Sequence, residues 1–158
     1  MSYVIYCRKS TDESTEKQIQ SIPDQMKECM EWAQQEWYEI APRPTNFSVF
    51  ESEEEIDKQD RDDSPRNKEI YQKYRWYFIV KEQKTAKNPG VREKRKQLIK
   101  MVKNGTVKWI ISYHPDRQAR NMEDWWALIT LVDNGLLDLK YTRFHFEPTA
   151  TGKMMLGF

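Results

Sequence analysis

A mixed, mainly parallel α/β sheet of four to five strands, with helices on both faces, is the fold class the sequence predicts. Three observations predict it. Tyr3-Val4-Ile5-Tyr6-Cys7 is an apolar run rich in β-formers and too short for a helix, so it reads as a buried strand. Val107-Lys108-Trp109-Ile110-Ile111-Ser112 is a second such strand, ended by Pro115. Helix-period segments separate these strands, and that alternation is the order of a parallel or mixed sheet. A length of 158 residues fits one domain with an ordinary core.

Taken in order, the first strand delivers Arg8-Lys9-Ser10-Thr11-Asp12 at its C-terminal end. A helix over about 21–35 follows. Ser21 and Asp24 resemble a capping box, Pro23 suits a first turn, and Ile22, Met26, Cys29, Met30, Ala33 and Trp37 recur at helical spacing toward the core. Phe47-Ser48-Val49-Phe50 and Trp76-Tyr77-Phe78-Ile79-Val80 both read as strands, one of them the second strand of the sheet. From Val91 to about Lys103 a helix is expected, with Arg95, Leu98, Ile99 and Val102 on one side and Asn104-Gly105 as its stop. Asn121 and Asp124 open another helix, ended by Asn134-Gly135. Leu139 to Phe146 is the last predicted strand, with Tyr141, Arg143 and His145 alternating against Thr142, Phe144 and Phe146.

Charge is unevenly placed. Twenty-six Lys and Arg nearly cancel 25 Asp and Glu, yet residues 51–63 carry a balance of −6 and residues 81–103 a balance of +7. The acidic run reads as a solvated or disordered loop, and the basic run as a solvated helix face or a nucleic-acid contact. A net charge of +1 argues against a histone-like sheath but leaves local DNA contact open. No apolar stretch approaches a membrane span, and Met1-Ser2-Tyr3-Val4 does not open a signal peptide. Two cysteines, Cys7 and Cys29, build neither a disulfide framework nor a C-x-x-C metal site, which fits a reducing interior. Neither G-x-x-x-x-G-K-[ST] nor G-x-G-x-x-G occurs, so the standard nucleotide loops are missing.

Ligands of open α/β sheets bind beyond the carboxyl ends of the strands. Two strand ends here carry polar clusters: Arg8 and Ser10 after the first, and His114, Asp116, Arg117 and Arg120 after the strand at 107–112. Arginine forks beside a hydroxyl suit an anion held next to a nucleophile.

Motif by motif, the chain resembles the catalytic domain of serine recombinases (resolvases and invertases). Tyr6-Cys7-Arg8-Lys9-Ser10-Thr11-Asp12 is similar to the family's Y-x-R-x-S-T, and Ser21-Ile22-Pro23-Asp24-Gln25 to its S-I-x-x-Q. Pro89-Gly90-Val91-Arg92 resembles P-G-x-R. His114-Pro115-Asp116-Arg117-Gln118-Ala119-Arg120-Asn121 resembles H-P-D-R-L-A-R-N, departing at Gln118. The segment 146–157 looks like the lead into the family's long dimer helix. The resemblance is to the large serine recombinase type, with about 45–75 as an acidic insertion in a domain spanning 1–158.

The resemblance implies a resolvase-like fold and a site-specific DNA recombinase. Ser10 would attack a DNA phosphodiester, leaving a 5′-phosphoserine link and a free 3′ hydroxyl. Arg8, Arg92, Arg117 and Arg120 match its phosphate-binding arginines, Gln25 a glutamine near the scissile phosphate, and Asp116 an acid that orients arginines or helps move a proton. Rejoining would draw on the phosphoserine bond and need no cofactor, neither ATP nor a metal. The implied partners are DNA and, for a full-length protein, copies of itself as dimer or tetramer. The implied setting is the cytoplasm of a bacterium or phage host. Because the chain stops where the dimer helix would begin, this fragment is expected to self-associate weakly or not at all, to bind DNA weakly, and to be inactive or weak as a recombinase on its own. A catalytically idle interaction fragment and an unrelated phosphate-binding α/β domain are the alternatives.

His114 and His145 read as structural side chains, Cys7 as a buried and inert thiol, and the six tryptophans by default as core. Of Trp125 and Trp126, adjacent on a helix, one is expected in the core and the other at its margin or at an interface.

Overall fold

The computed structural model describes residues 2–10, 21–84, 93–114 and 122–143. Strand β1 (Ser2–Ser10) is central. Parallel neighbours flank it: β4 (Trp109–Ser112) on one side, continued by β5 (Asp138–Tyr141), and β2 (Glu39–Ile40) with β3 (Ile79–Lys84) on the other. Every ladder is parallel.

Side-chain alternation along β1 divides the core. Val4 and Tyr6 pack with Leu98 and Val102 of α4 (Glu93–Lys103) and with Trp125, Leu128 and Leu131 of α5 (Met122–Asp133). Tyr3, Ile5 and Cys7 pack on the opposite face, against Met26, Cys29, Met30 and Ala33 of α1 (Ile22–Gln35). A strand buried on both faces has no polar side to alternate, which is why β1 is a continuous apolar run.

Local chemistry ends the helices as well as starting them. The Ser21 hydroxyl accepts from the Asp24 N–H at 3.3 Å and caps α1. At the other end of α1, the Tyr38 N–H bonds the Ala33 carbonyl at 2.8 Å and the Trp37 N–H bonds Gln34 at 3.3 Å, a Schellman closure. The left-handed residue of that closure is Trp37, at φ 61° and 93% exposed, not the core residue its spacing predicted. Helices α4 and α5 close the same way on Gly105 (φ 85°) and Gly135 (φ 72°), where glycine meets the turn without a Cβ clash.

Strands β2 and β3 occupy one edge of β1 in succession. Ser2 and Tyr3 pair with β2, and Ile5 to Ser10 pair with β3. Between them the chain leaves at Ala41 and returns at Phe78. The Ala41 N–H bonds Tyr3 at 2.8 Å, the Phe78 N–H bonds Ala41 at 2.8 Å, and the Ile5 N–H bonds Phe78 at 3.2 Å. Residues 41–78 are thus an excursion out of one interrupted strand position.

That excursion is structured, which corrects two expectations. The acidic run forms helix α2 (Glu53–Asp60), capped by Ser52. Its first turn places Glu53, Glu54 and Glu55 at the positive end of the helix dipole, and Glu54–Lys58 and Asp57–Arg61 pair one turn apart. Composition measured its polarity but not these compensations. The predicted strand Phe47–Phe50 is instead a 3₁₀ turn over Phe47–Val49. Residues three apart share a side in that geometry, so Phe47 and Phe50 both reach the core against Phe78 while Val49 faces water. Helix α3 (Pro65–Lys73) follows and sends Ile70 into the α1 side of the core.

Other elements are shorter than predicted. β3 begins at Ile79, so Trp76 and Tyr77 precede it and are exposed, and β5 ends at Tyr141. His145 and the end of the predicted last strand lie outside the described residues. Trp125 is buried and Trp126 exposed, as their adjacency on α5 required; Trp37 and Trp76 join Trp126 outside the core, against the default reading. Among the described residues no helix is long and apolar enough to cross a membrane.

Candidate active site

All five strands run the same way, so their carboxyl ends share one edge of the sheet. β1 and β3 extend furthest along it, ending level with each other. The β4 ladder of β1 covers only Tyr3 to Ile5, whereas its β3 ladder continues through Arg8, Lys9 and Ser10, opposite Glu82, Gln83 and Lys84. The β4 side of β1 therefore needs other partners for its backbone groups. The Ser112 hydroxyl donates to the Tyr6 carbonyl at 2.9 Å. One step further, the Gln25 carboxamide takes the place of a neighbouring strand: Arg8 N–H donates to Gln25 Oε1 at 3.2 Å, and Gln25 Nε2 donates to the Arg8 carbonyl at 3.0 Å. Gln25 is fully buried on α1. These two bonds fix the strand two residues before Ser10.

Arg8 itself is buried, on the α4/α5 face with Tyr6. Its register partner Glu82 is buried on the same face. The Glu82 carboxylate accepts from the Tyr6 hydroxyl at 2.6 Å and from the Lys94 backbone N–H, in the first turn of α4, at 3.1 Å. A carboxylate there complements the positive end of the α4 dipole. Arg92 immediately precedes that helix in sequence.

Lys81, one residue before Glu82, leaves through the other face and pairs with the buried Glu51 at 2.9 Å. Gln59 donates to Glu51 as well. Burial pulls the Lys81 ammonium below the ordinary lysine value, and Glu51 only partly offsets it. Burial pushes the nearby Tyr71 phenol up. Cys7 is buried, and burial raises the thiol of Cys29.

Of the residues predicted for the site, the structure brings together Arg8, Gln25 and the backbone of Ser10. Arg92, Asp116, Arg117 and Arg120 lie outside the described residues. In sequence they stand just before α4 and between β4 and α5, in two of the connections that leave the carboxyl edge. His114 follows β4 and is half-buried. Arg95 reaches from α4 to the Asp124 carbonyl of α5 at 3.5 Å. Sequence reasoning missed Glu82, Lys94 and the Lys81–Glu51 pair. Alternation could have flagged Glu82, a carboxylate on the same side of its strand as Phe78 and Val80.

A family model described as "Resolvase, N terminal domain" matches residues 47–158. The matched stretch contains Arg92, Asp116, Arg117 and Arg120 and begins after β1 and α1, which carry Arg8, Ser10 and Gln25. No curated protein matches the chain.

Proposed function

The chain belongs to the resolvase N-terminal domain family, that of serine recombinase catalytic domains, and from that premise we propose that Ser10 is its DNA-cleaving nucleophile. The Ser10 hydroxyl gives up its proton at the site as its oxygen attacks a backbone phosphorus. The bond from phosphorus to the 3′ oxygen breaks, and the 3′ oxygen leaves as a hydroxyl after taking up a proton there, so that the net proton transfer is from serine to the leaving group. The product is a 5′-phosphoserine. Attack by a 3′ hydroxyl of another strand reverses the step, regenerates the serine hydroxyl and joins new DNA ends. The phosphodiester bond energy is conserved throughout.

Negative charge builds on the phosphorane oxygens during each displacement. Preorganised cations are the physical means of lowering that barrier, and Arg8, Arg92, Arg117 and Arg120 fill the role, with Asp116 orienting them or carrying a proton. The observation that carries the proposal is the end of β1. Gln25 holds the Arg8 backbone on one edge of β1 while β3 pairs along the other edge as far as Ser10, so the backbone that carries Ser10 is fixed on both sides. A nucleophile on such a strand is held in place before substrate arrives. The finer reading, a large serine recombinase acting in a bacterial or phage-infected cytoplasm, is part of the same proposal.

The test needs no knowledge of the target site. A pool of nicked DNA duplexes, randomised over the central base pairs and labelled on the strand bearing the scissile 5′ phosphate, is incubated with the chain and resolved under denaturing conditions. The expected outcome is a labelled covalent complex mapped by mass spectrometry to the peptide containing Ser10 and lost in Ser10→Ala. A complex that persists in Ser10→Ala, or none from the unmodified protein, rejects the nucleophile. DNA retention without any covalent complex favours the idle interaction module.

A further inference from the structure

Lys94 joins three parts of the molecule where β3 hands the chain to α4. Its backbone N–H meets Glu82 at 3.1 Å. Its Nζ lies 2.6 Å from Glu55 Oε2 and 2.5 Å from the Lys81 carbonyl oxygen. Glu82 and Lys81 are successive residues of β3, whereas Glu55 belongs to α2 in the excursion. The Lys94 side chain is only 16% exposed, so a charged head is held out of water between two oxygens. The contact also satisfies a carbonyl on β3.

We infer that Lys94, held by Glu55, is a positioning residue that sets where α4 begins and thereby where Arg92 meets the scissile phosphate. The inference rests on the recombinase reading and adds a part to it: the excursion acts as a strut on one of the catalytic arginines. Arg92 stands two residues before Lys94 in the sequence, so whatever fixes the first turn of α4 limits through the covalent chain how far the arginine can reach. A displacement near 1 Å suffices to change such rates severely.

The excursion is built as a strut. Phe47 and Phe50 are buried in the α4/α5 side of the core, and Ile70 and Tyr74 in the α1 side, so it grips the sheet edge from both faces. A lid would have to extract these side chains to open. Other contacts also hold the strut near β3, since Lys81 reaches both Glu51 and Gln59.

A rival role for Lys94 is direct contact with DNA, and Glu55→Gln separates the two, because it removes the tether but keeps the lysine charge. The experiment uses the randomised nicked pool, measuring the rate of covalent complex formation and the half-saturating DNA concentration. Glu55→Gln and Lys94→Met are expected to slow the reaction about tenfold, with half-saturation within about twofold of the unmodified chain. Lys94→Arg, which keeps a cationic donor, should restore most of the rate. Glu53→Gln, an exposed acid on the same helix, should change nothing. Amides in the first turn of α4 should exchange hydrogen faster in Glu55→Gln and Lys94→Met. Tighter DNA binding at an unchanged rate in Glu55→Gln would make Lys94 a sequestered DNA contact and overturn the inference. Equal rates in all variants would overturn it too. Absence of a covalent complex from the unmodified chain is a separate result: it removes the recombinase reading and the inference with it.

Discussion

Lys81 and Glu82 are neighbours on β3 whose side chains leave through opposite faces of the sheet, and the two faces are organised differently. On the α4/α5 face, Glu82 receives a phenol from β1 and an amide from α4, tying the strand that carries the proposed nucleophile to the helix that follows Arg92 in sequence. On the α1 face, Lys81 meets Glu51 and Gln59, both from the excursion. One side of the strand is held by the sheet and its own crossover helix. The other is held by a segment that leaves the sheet between β2 and β3. The contrast teaches that the excursion is part of the site's foundation although it supplies none of the proposed catalytic groups.

The largest expected effect probes whether that foundation is integral. Phe50→Ala removes a fully buried ring packed 5.2 Å from Phe78. It should destabilise the fold by about 4 kcal/mol in denaturant unfolding. A loss below about 1 kcal/mol would show the excursion to be an appendage and dissolve the comparison.

Next comes the pair on the excursion face. Glu51→Gln leaves Lys81 buried opposite a neutral group and should destabilise by about 3 kcal/mol, whereas Glu51→Leu with Lys81→Met should recover most of that. The pH dependence has a definite sign. The folded-state value of Lys81 lies below the 10.5 of an ordinary lysine, so between the two the unfolded chain binds more protons and stability rises with pH. Below the lowered value the penalty of burying the charge is present in full. Relative to Lys81→Met, the unmodified chain should therefore gain stability as pH climbs toward about 10. A constant difference across that range would mean that Glu51 compensates the burial completely.

The smallest effect lies at the surface contact between α3 of the excursion and α1 of the body. Burial alone would raise the Asp24 carboxyl, but the Arg66 guanidinium at 2.5 Å and the Ser21 hydroxyl outweigh it and hold Asp24 below 3.8. The stabilisation is present above the unfolded value and is lost as pH falls through the lowered folded one. Both side chains are partly exposed, so screening reduces the pair to about 0.5 kcal/mol at neutral pH. Arg66→Ala should lose about that much, and acidification should erase the difference.

Much of the architecture was legible because it is written locally. The Ser21 cap, the apolar run of β1 and the glycines closing α4 and α5 are short-range signals, and each element stands where those signals put it. Trp37 misled because helical spacing continues one residue past the turn that ends α1. The acidic run misled because its helix is stabilised by an N-cap and one-turn ion pairs, which net charge does not register. Within the site, Arg8 and Gln25 were named separately from their motifs. That the Gln25 carboxamide replaces a missing strand beside Arg8 follows only from β4 stopping short.

By itself, the sequence determined a mixed, mainly parallel sheet with helices on both faces, the polar ends of its strands and the order of the recombinase-like motifs. These depend on periodicity, turn chemistry and residue type, all carried within a few positions. Tertiary structure alone decided that Glu82 joins Tyr6 to α4, that Lys94 meets Glu55 from 39 residues away, and that the excursion grips both faces of the sheet edge. The physical reason is that a buried charge is tolerable only beside the partner that desolvates with it. Which partner that is depends on where distant segments of the chain come to rest.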